Sequence, residues 1–257
     1  MRTDLFDLGG KVALITGGSR GLGRQMALAF AEHGAHVAIA SRKLEQCQIT
    51  AREIEAKGVQ AFAQACHVAK WNEIETLVEA VYARFGRIDI LVNNAGLSPL
   101  YPALDEISEE LFDKVIGINL KGPFRLSALV AKRMMAGDGG SIINISSTAA
   151  VTPSPMSEPY CSAKAGLNAL TRSMAYAYGP KVRVNCIMPG PFLTDISKAW
   201  DMEAFTAGAK ERIPLQRGGQ PHEIVGAALY LASAASSYTT GAIIPVDGGS
   251  QGNPRVL

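Results

Sequence analysis

Tyr160 and Lys164 stand four residues apart in the stretch SEPYCSAK, and Ser147 ends the apolar run SIINISS. Four residues is about one helical turn, so a helix here projects the phenol and the ammonium from one face. A free phenol, with a pKa near 10, is a poor acid or base at neutral pH, and a neighbouring cation stabilises its phenolate. Lowering that pKa by about three pH units corresponds to roughly 4 kcal/mol, within reach of a close lysine reinforced by a second positive charge. The chemistry that suits such a pair is proton transfer to or from an oxygen. The Ser147 hydroxyl either holds that oxygen during the transfer or bonds neighbouring backbone at a strand end.

A second constellation is TGGSRGLG, residues 16 to 23, directly after the apolar run Val12 to Ile15. The residues after it read as helix, with Leu22, Met26, Ala29 and Phe30 on one face and Gly34 placed to cap the end. The glycines therefore join a strand to a helix N-terminus. Free amides there, backed by the helix dipole, form an anion site, and a diphosphate is the anion expected after a buried strand. Gly17, Ser19, Arg20, Gly21, Leu22 and Gly23 are the residues of that cradle. Their spacing departs from the commoner G-x-G-x-x-G, and a tight strand-to-helix turn with no ligand is the alternative.

The second strand, HVAIASRK, bears on which dinucleotide would fit. An acidic residue about 20 positions past the glycines ordinarily holds the adenosine ribose. Here Ser41 takes that slot and Arg42 and Lys43 follow. A carboxylate repels a 2′-phosphate, whereas a hydroxyl beside a guanidinium binds one through charge-assisted hydrogen bonds. Arg20 is placed to reach the same phosphate from the opposite side. The expected coenzyme is NADP(H) in preference to NAD(H); the alternative is that Arg42 and Lys43 merely open an exposed helix.

The elements that must position these groups alternate regularly. Strands are expected at 12–16, 36–41, 61–66, 88–92, 141–146, 182–188 and 242–246, with amphipathic helices in most gaps. Near-continuous apolar runs such as IDILVNNAG require cover on both faces, so the expectation is an α/β fold: a doubly wound, seven-stranded parallel sheet with helices on both faces, in one domain over residues 1–257. One stretch, 189–221, breaks the alternation and carries Phe192, Trp200, Met202 and Phe205. Such insertions at strand carboxyl ends commonly form ligand lids, and a plain surface excursion is the alternative.

Composition excludes several classes. The 257 residues are 47% hydrophobic with a net charge of +2, which gives no field for nucleic acid or an anionic membrane. Cys47, Cys66, Cys161 and Cys186 form no C-x-x-C pair, and His33, His36 and His222 have no partners that argue for a metal. Asp4 and Asp7 interrupt the N-terminus where a signal peptide needs an apolar stretch, so the expected location is cytoplasmic.

Seven ordered motifs, TGGSRGLG, NNAG (93–96), INLKG (118–122), NISS (144–147), YCSAK (160–164), VRVNCIMPG (182–190) and VDGG (246–249), together resemble the short-chain dehydrogenases/reductases over essentially the whole chain. The resemblance implies a single-domain Rossmann fold and an NADP(H)-dependent oxidoreductase that interconverts a ketone and a secondary alcohol. It makes Tyr160 the proton donor or acceptor and Ser147 the group that orients and polarises the substrate oxygen. Lys164 would lower the tyrosine pKa and hold the nicotinamide ribose, with Asn119 supporting a water that links it to solvent. Asn93, Ala95 and Gly96 would line the coenzyme, and Pro189, Gly190 and Thr194 would face its nicotinamide end. Many relatives have an Asp after the third strand contacting adenine; here His67 stands there, followed by Val68.

The implied substrate is a small carbonyl or alcohol compound, with a 3-oxoacyl thioester first. A polyol, gluconate, steroid or small alcohol is the alternative within the family. Leu100, Tyr101 and Met156 lean toward an acyl chain. Relatives usually form homotetramers through the helices holding Asn119 and Tyr160, and Ala163, Gly166 and Ala169 would let two such helices approach closely. A non-catalytic dinucleotide sensor or scaffold is the reading from another class; it would fit a chain that had lost Ser147, Tyr160 or Lys164.

Overall fold

In the computed structural model, which describes residues 5–195, 197 and 200–251, β1 (Val12–Thr16) is buried at all five positions. Alternate side chains of a strand point to opposite faces. Val12 and Leu14 accordingly pack into one apolar cluster, and Ala13 and Ile15 into another across the sheet. β2 (His36–Ser41), β3 (Ala61–Ala65), β4 (Ile90–Asn93), β5 (Gly140–Ile145), β6 (Val182–Pro189) and β7 (Ile243–Val246) complete one sheet in the order β3-β2-β1-β4-β5-β6-β7, with every pairing parallel. The doubly wound Rossmann arrangement expected from the alternation is the one found.

On one face, Met26 and Phe30 of α1 (Gly21–Glu32), Ile54 of α2 (Leu44–Glu55) and Leu229 of α8 (Val225–Ala232) close the core. On the other face it is closed by Leu77 and Val81 of α3 (Trp71–Phe85), Leu126 and Val130 of α5 (Gly122–Ala136) and Met174 of α6 (Glu158–Tyr178). Strand order reverses between β1 and β4, so their carboxyl ends flank a crevice of the kind in which such sheets take ligands.

β4 starts later and ends one residue further on than its apolar run implies. At its start the Asp89 carboxylate accepts the Val12 amide at 2.9 Å and pairs with Arg87, while the Asp89 backbone bonds Val12 O and Ser141 N on either side. The extension brings Asn93 into register with Asn144 of β5. In the 189–221 excursion, Phe192 bridges to Gly219 and Asp201 caps α7 (Met202–Arg212). Phe192 is only 7% exposed and belongs to the α1/α8 core rather than to a flap. Among the described residues no helix is long and apolar enough to cross a membrane.

Candidate active site

α6 opens with Glu158 and Pro159, a residue whose fixed φ and missing N–H suit a first turn. One face of this helix carries Tyr160 and, a turn later, Lys164, whose Nζ lies 5.6 Å from the centre of the Tyr160 ring. Lys164 is 3% exposed and donates to the Ile145 carbonyl at 2.8 Å, which ties the end of β5 to the helix. Two residues beyond β5, the Ser147 hydroxyl lies near enough to the Tyr160 phenol to favour its ionised form. The same Ser147 oxygen accepts the Ala149 amide at 3.2 Å, so it serves the chain's turn as well as the tyrosine. The three side chains expected to carry the chemistry are thus brought together.

Burial sets their protonation. Desolvation pushes the Tyr160 phenol up, and the Ser147 hydroxyl pulls it back in part. Desolvation also pulls the Lys164 ammonium down to about 8. In the protein alone burial therefore leaves the phenol above its ordinary value.

Asn119 does not sit on regular helix. α4 (Glu109–Ile116) widens into a π-turn, Gly117–Lys121, before α5 continues, and such turns recur at functional sites. Asn119 is fully buried; its Nδ2 donates to Leu97 O at 2.7 Å and Val115 O at 2.9 Å, and its Oδ1 accepts Leu97 N at 3.3 Å. Its amide hydrogens thus hold the loop after β4 in place. A Cβ on Gly96 would lie 3.2 Å from Asn119 Oδ1 and 3.7 Å from Lys164 Nζ, so the glycine keeps a gap open between them.

Asn93, expected to line the coenzyme, is committed to a buried side-chain network. Its side chain turns inward, 3% exposed, and Nδ2 donates to Ser127 Oγ and Asn144 Oδ1, both at 2.8 Å. Asn144 in turn donates to Thr171 Oγ1 at 2.9 Å. This buried chain braces β4 and β5 against α5 and α6. The next residue faces the other way: Asn94 Nδ2 donates to Thr16 O at 2.9 Å and Gly17 O at 3.2 Å, fastening the glycine loop to the end of β4. Ala95 donates its amide to Thr16 Oγ1 at 3.2 Å.

The glycine loop fits an anionic guest. Gly17 and Gly21 have φ of +65° and +53°, and a Cβ on Gly23 would lie 2.4 Å from Gly17 O. α1 carries no side-chain cap from Arg20 and no acidic residue in its first turn, which leaves its leading amides to a ligand or water. Leu22 packs on the core beneath. Thr194 comes within 3.7 Å of a Cβ on Gly21, so the start of the excursion reaches the glycine loop. Pro189 ends β6, and Gly190 packs so closely on Asp247 that a Cβ would lie 2.8 Å away.

At the end of β2, Ser41 Oγ accepts from Ser19 Oγ at 3.2 Å and lies 3.0 Å from Cys47 Sγ. Arg20, Arg42 and Lys43 are exposed, and among the described residues none forms an ion pair. Ser41 pairs with Ala65, which places His67 and Val68 beside this corner. His67 Nδ1 accepts the Ala69 amide at 3.2 Å. A neutral ring with Nδ1 so used carries its proton on Nε2 and presents a donor where an aspartate would accept.

A family model described as "Enoyl-(Acyl carrier protein) reductase" matches residues 17–251. Dehydrogenase/reductase SDR family member 4 of Pongo abelii is 36% identical, covering 95% of this chain and 88% of that protein. The chain belongs to the short-chain dehydrogenase/reductase family. As a member it is an oxidoreductase acting on alcohol and keto groups. The 5-keto-D-gluconate 5-reductase of Escherichia coli K12 is 36% identical over 96% of this chain and 97% of its own. A gluconate 5-dehydrogenase from Burkholderia cenocepacia, solved with NADP and tartrate, superposes with a TM-score of 0.92 at 36% identity, covering 97% of this chain and 98% of that one.

Proposed function

We propose that this enzyme reduces a ketone to a secondary alcohol, or runs the reverse, with Tyr160 as acid and base and NADP(H) as coenzyme. The observation that carries the reading is the convergence of Tyr160 and Lys164, its Nζ 5.6 Å from the ring and anchored on Ile145 O at the end of β5, with Ser147 two residues beyond that strand. NADPH, when bound, supplies a hydride to the carbonyl carbon. Ser147 holds the carbonyl oxygen, and Tyr160 gives it a proton as negative charge develops there. Lys164, anchored on Ile145 O, holds the ribose and offsets the phenolate. Ser41, Arg42 and Arg20 receive the 2′-phosphate, with His67 and Val68 at adenine. Asn94, Ala95, Gly96, Pro189, Gly190 and Thr194 line the remaining length.

For the substrate, a sugar acid or polyol takes precedence over a 3-oxoacyl thioester, because relatives named for gluconate chemistry align over nearly their whole length. In this reading one domain spans the chain, residues 189–221 cover the substrate, and the enzyme works in the cytoplasm as a homotetramer. An apolar depression of about 450 Å³ between α4, the π-turn, α5 and α6, lined by Leu120, Phe124, Gly166 and Ala169 among others, supports that assembly. Ala163, by contrast, is wholly buried within its own chain and cannot meet a second copy.

The test is a coenzyme oxidation assay with 5-keto-D-gluconate and a 3-oxoacyl thioester side by side, each with NADPH and NADH. Faster loss of absorbance with NADPH and the keto acid is the expected result. A chain that binds no pyridine nucleotide refutes the reading altogether.

A further inference from the structure

Tyr101 lies in the loop between β4 and α4 and is 8% exposed. Its hydroxyl donates to a Glu158 carboxylate oxygen and accepts the Glu158 amide at 3.0 Å. The second carboxylate oxygen accepts the Met156 amide at 3.3 Å. Glu158 is the first residue of α6, and Tyr160 is two residues further on. Helix openings ordinarily take their cap from the preceding side chain. Here Ser157 makes no such bond: its hydroxyl donates to Ser154 O at 2.7 Å and lies 3.2 Å from Cys161 Sγ. A phenol 57 residues away satisfies the leading amide instead. The contact holds Glu158 below the usual carboxyl range, while burial raises the Tyr101 phenol, so at neutral pH one donates and the other accepts.

The loop after β4 is thus tied at two points, to the π-turn through Asn119 and Leu97, and to α6 through Tyr101 and Glu158. We infer that Tyr101 and Glu158 are positioning residues, a latch that registers the first turn of α6 against this loop and so fixes the Tyr160 hydroxyl relative to Ser147. The inference rests on Tyr160 as the acid and base.

Tyr101→Phe keeps the ring and removes both bonds; Glu158→Ala removes the acceptor, and Glu158→Gln restores it without charge. A displaced reacting group costs rate more than coenzyme affinity, so Tyr101→Phe and Glu158→Ala lower kcat about tenfold with coenzyme KM moved less than about twofold. Glu158→Gln recovers most of that loss. Independently of turnover, the Glu158 amide in Tyr101→Phe exchanges hydrogen about tenfold faster while amides of β1 and β6 keep their protection. Unchanged kcat in both variants with unchanged exchange in Tyr101→Phe overturns the latch, as does a glutamine no better than alanine. A fall in kcat that merely follows a uniform loss of protection overturns it too. If Tyr101→Phe does not fold, kcat of the two Glu158 variants decides. Turnover retained by Tyr160→Phe refutes the acid-base reading instead, and the exchange result remains a separate measure of the latch.

Discussion

At the ends of β1 and β2 the crevice is lined by cations that stand in water, whereas at the ends of β4 and β5 its polar groups are buried and paired. Arg20, Arg42 and Lys43 form no ion pair among the described residues. Asn93, Asn144, Thr171 and Lys164 are each at most 3% exposed and each is hydrogen-bonded. An exposed charge contributes little to folding, so the coenzyme preference proposed for these cations could change there at little cost to the sheet. A buried polar group left without its partner costs far more. The proposed chemistry at the β4–β5 end therefore shares its atoms with the fold, and substitutions there should change rate and stability together unless they spare the brace.

Tyr160→Phe is the sharpest such probe, because it removes the proton and leaves Asn93, Asn144 and Thr171 untouched. Loss of an acid-base group lowers kcat roughly 10²- to 10⁴-fold. Coenzyme binding, followed by fluorescence titration, stays within about twofold of the parent. Equal losses in kcat and coenzyme affinity would mean that the phenol acts in binding rather than in proton transfer.

Asn144→Ala attacks the brace itself. It strips Asn93 Nδ2 and Thr171 Oγ1 of a buried partner. Denaturant unfolding should then show a loss of roughly 2–4 kcal/mol, with turnover reduced in the protein that remains folded. A loss below about 0.5 kcal/mol, as at ordinary surface positions, would break the contrast between the two ends.

Arg42→Asp is the matching change at the open end. Replacing a cation facing a phosphate by an anion removes charge-assisted bonds of about 1.5–3 kcal/mol, so KM for NADPH rises roughly 10- to 100-fold. KM for NADH falls or holds, and the melting temperature moves by less than about 2 °C. An unchanged ratio between the two coenzymes would remove the phosphate assignment.

The two ends also differ in how far they could be read from sequence. Seven parallel strands are implied by apolar runs and their spacing, and Ser147, Tyr160 and Lys164 converge because strand end and helix turn are local periodicities. Asn93 and Asn94 show where this stops. Successive strand residues face opposite sides, so a one-residue difference in where β4 ends decides which asparagine braces the core and which grips the glycine loop. Gly117 and Gly122 stand at the ends of the π-turn without specifying it, and Asn119 reaching back to Leu97 helps hold it. Tyr101 and Glu158 are 57 residues apart and belong to no short pattern. What remained hidden is pairing over long separations, which depends on the packed structure and not on local spacing.

The smallest effect tests whether an exposed ion pair can nonetheless fasten part of the site. Arg217 holds both carboxylate oxygens of Glu223 at 2.6 and 2.7 Å, and Gln220 donates its amide to the same group at 2.6 Å. These bonds hold the Glu223 carboxyl down at about 2, led by the guanidinium. A carboxyl depressed on folding contributes stability above its unfolded pKa, near 4.3, and loses it as pH falls through the folded value. Arg217→Met should therefore be less stable than the parent at pH 6, with the difference shrinking between about pH 5 and pH 2. Urea midpoints compared at pH 6 and pH 3 read this directly. A gap that stays constant across that range would mean that Arg217 acts by packing on the loop before α8. A gap that closes on acidification would make this pair an exposed counterpart of the buried brace, fastening the far end of the 189–221 excursion by charge.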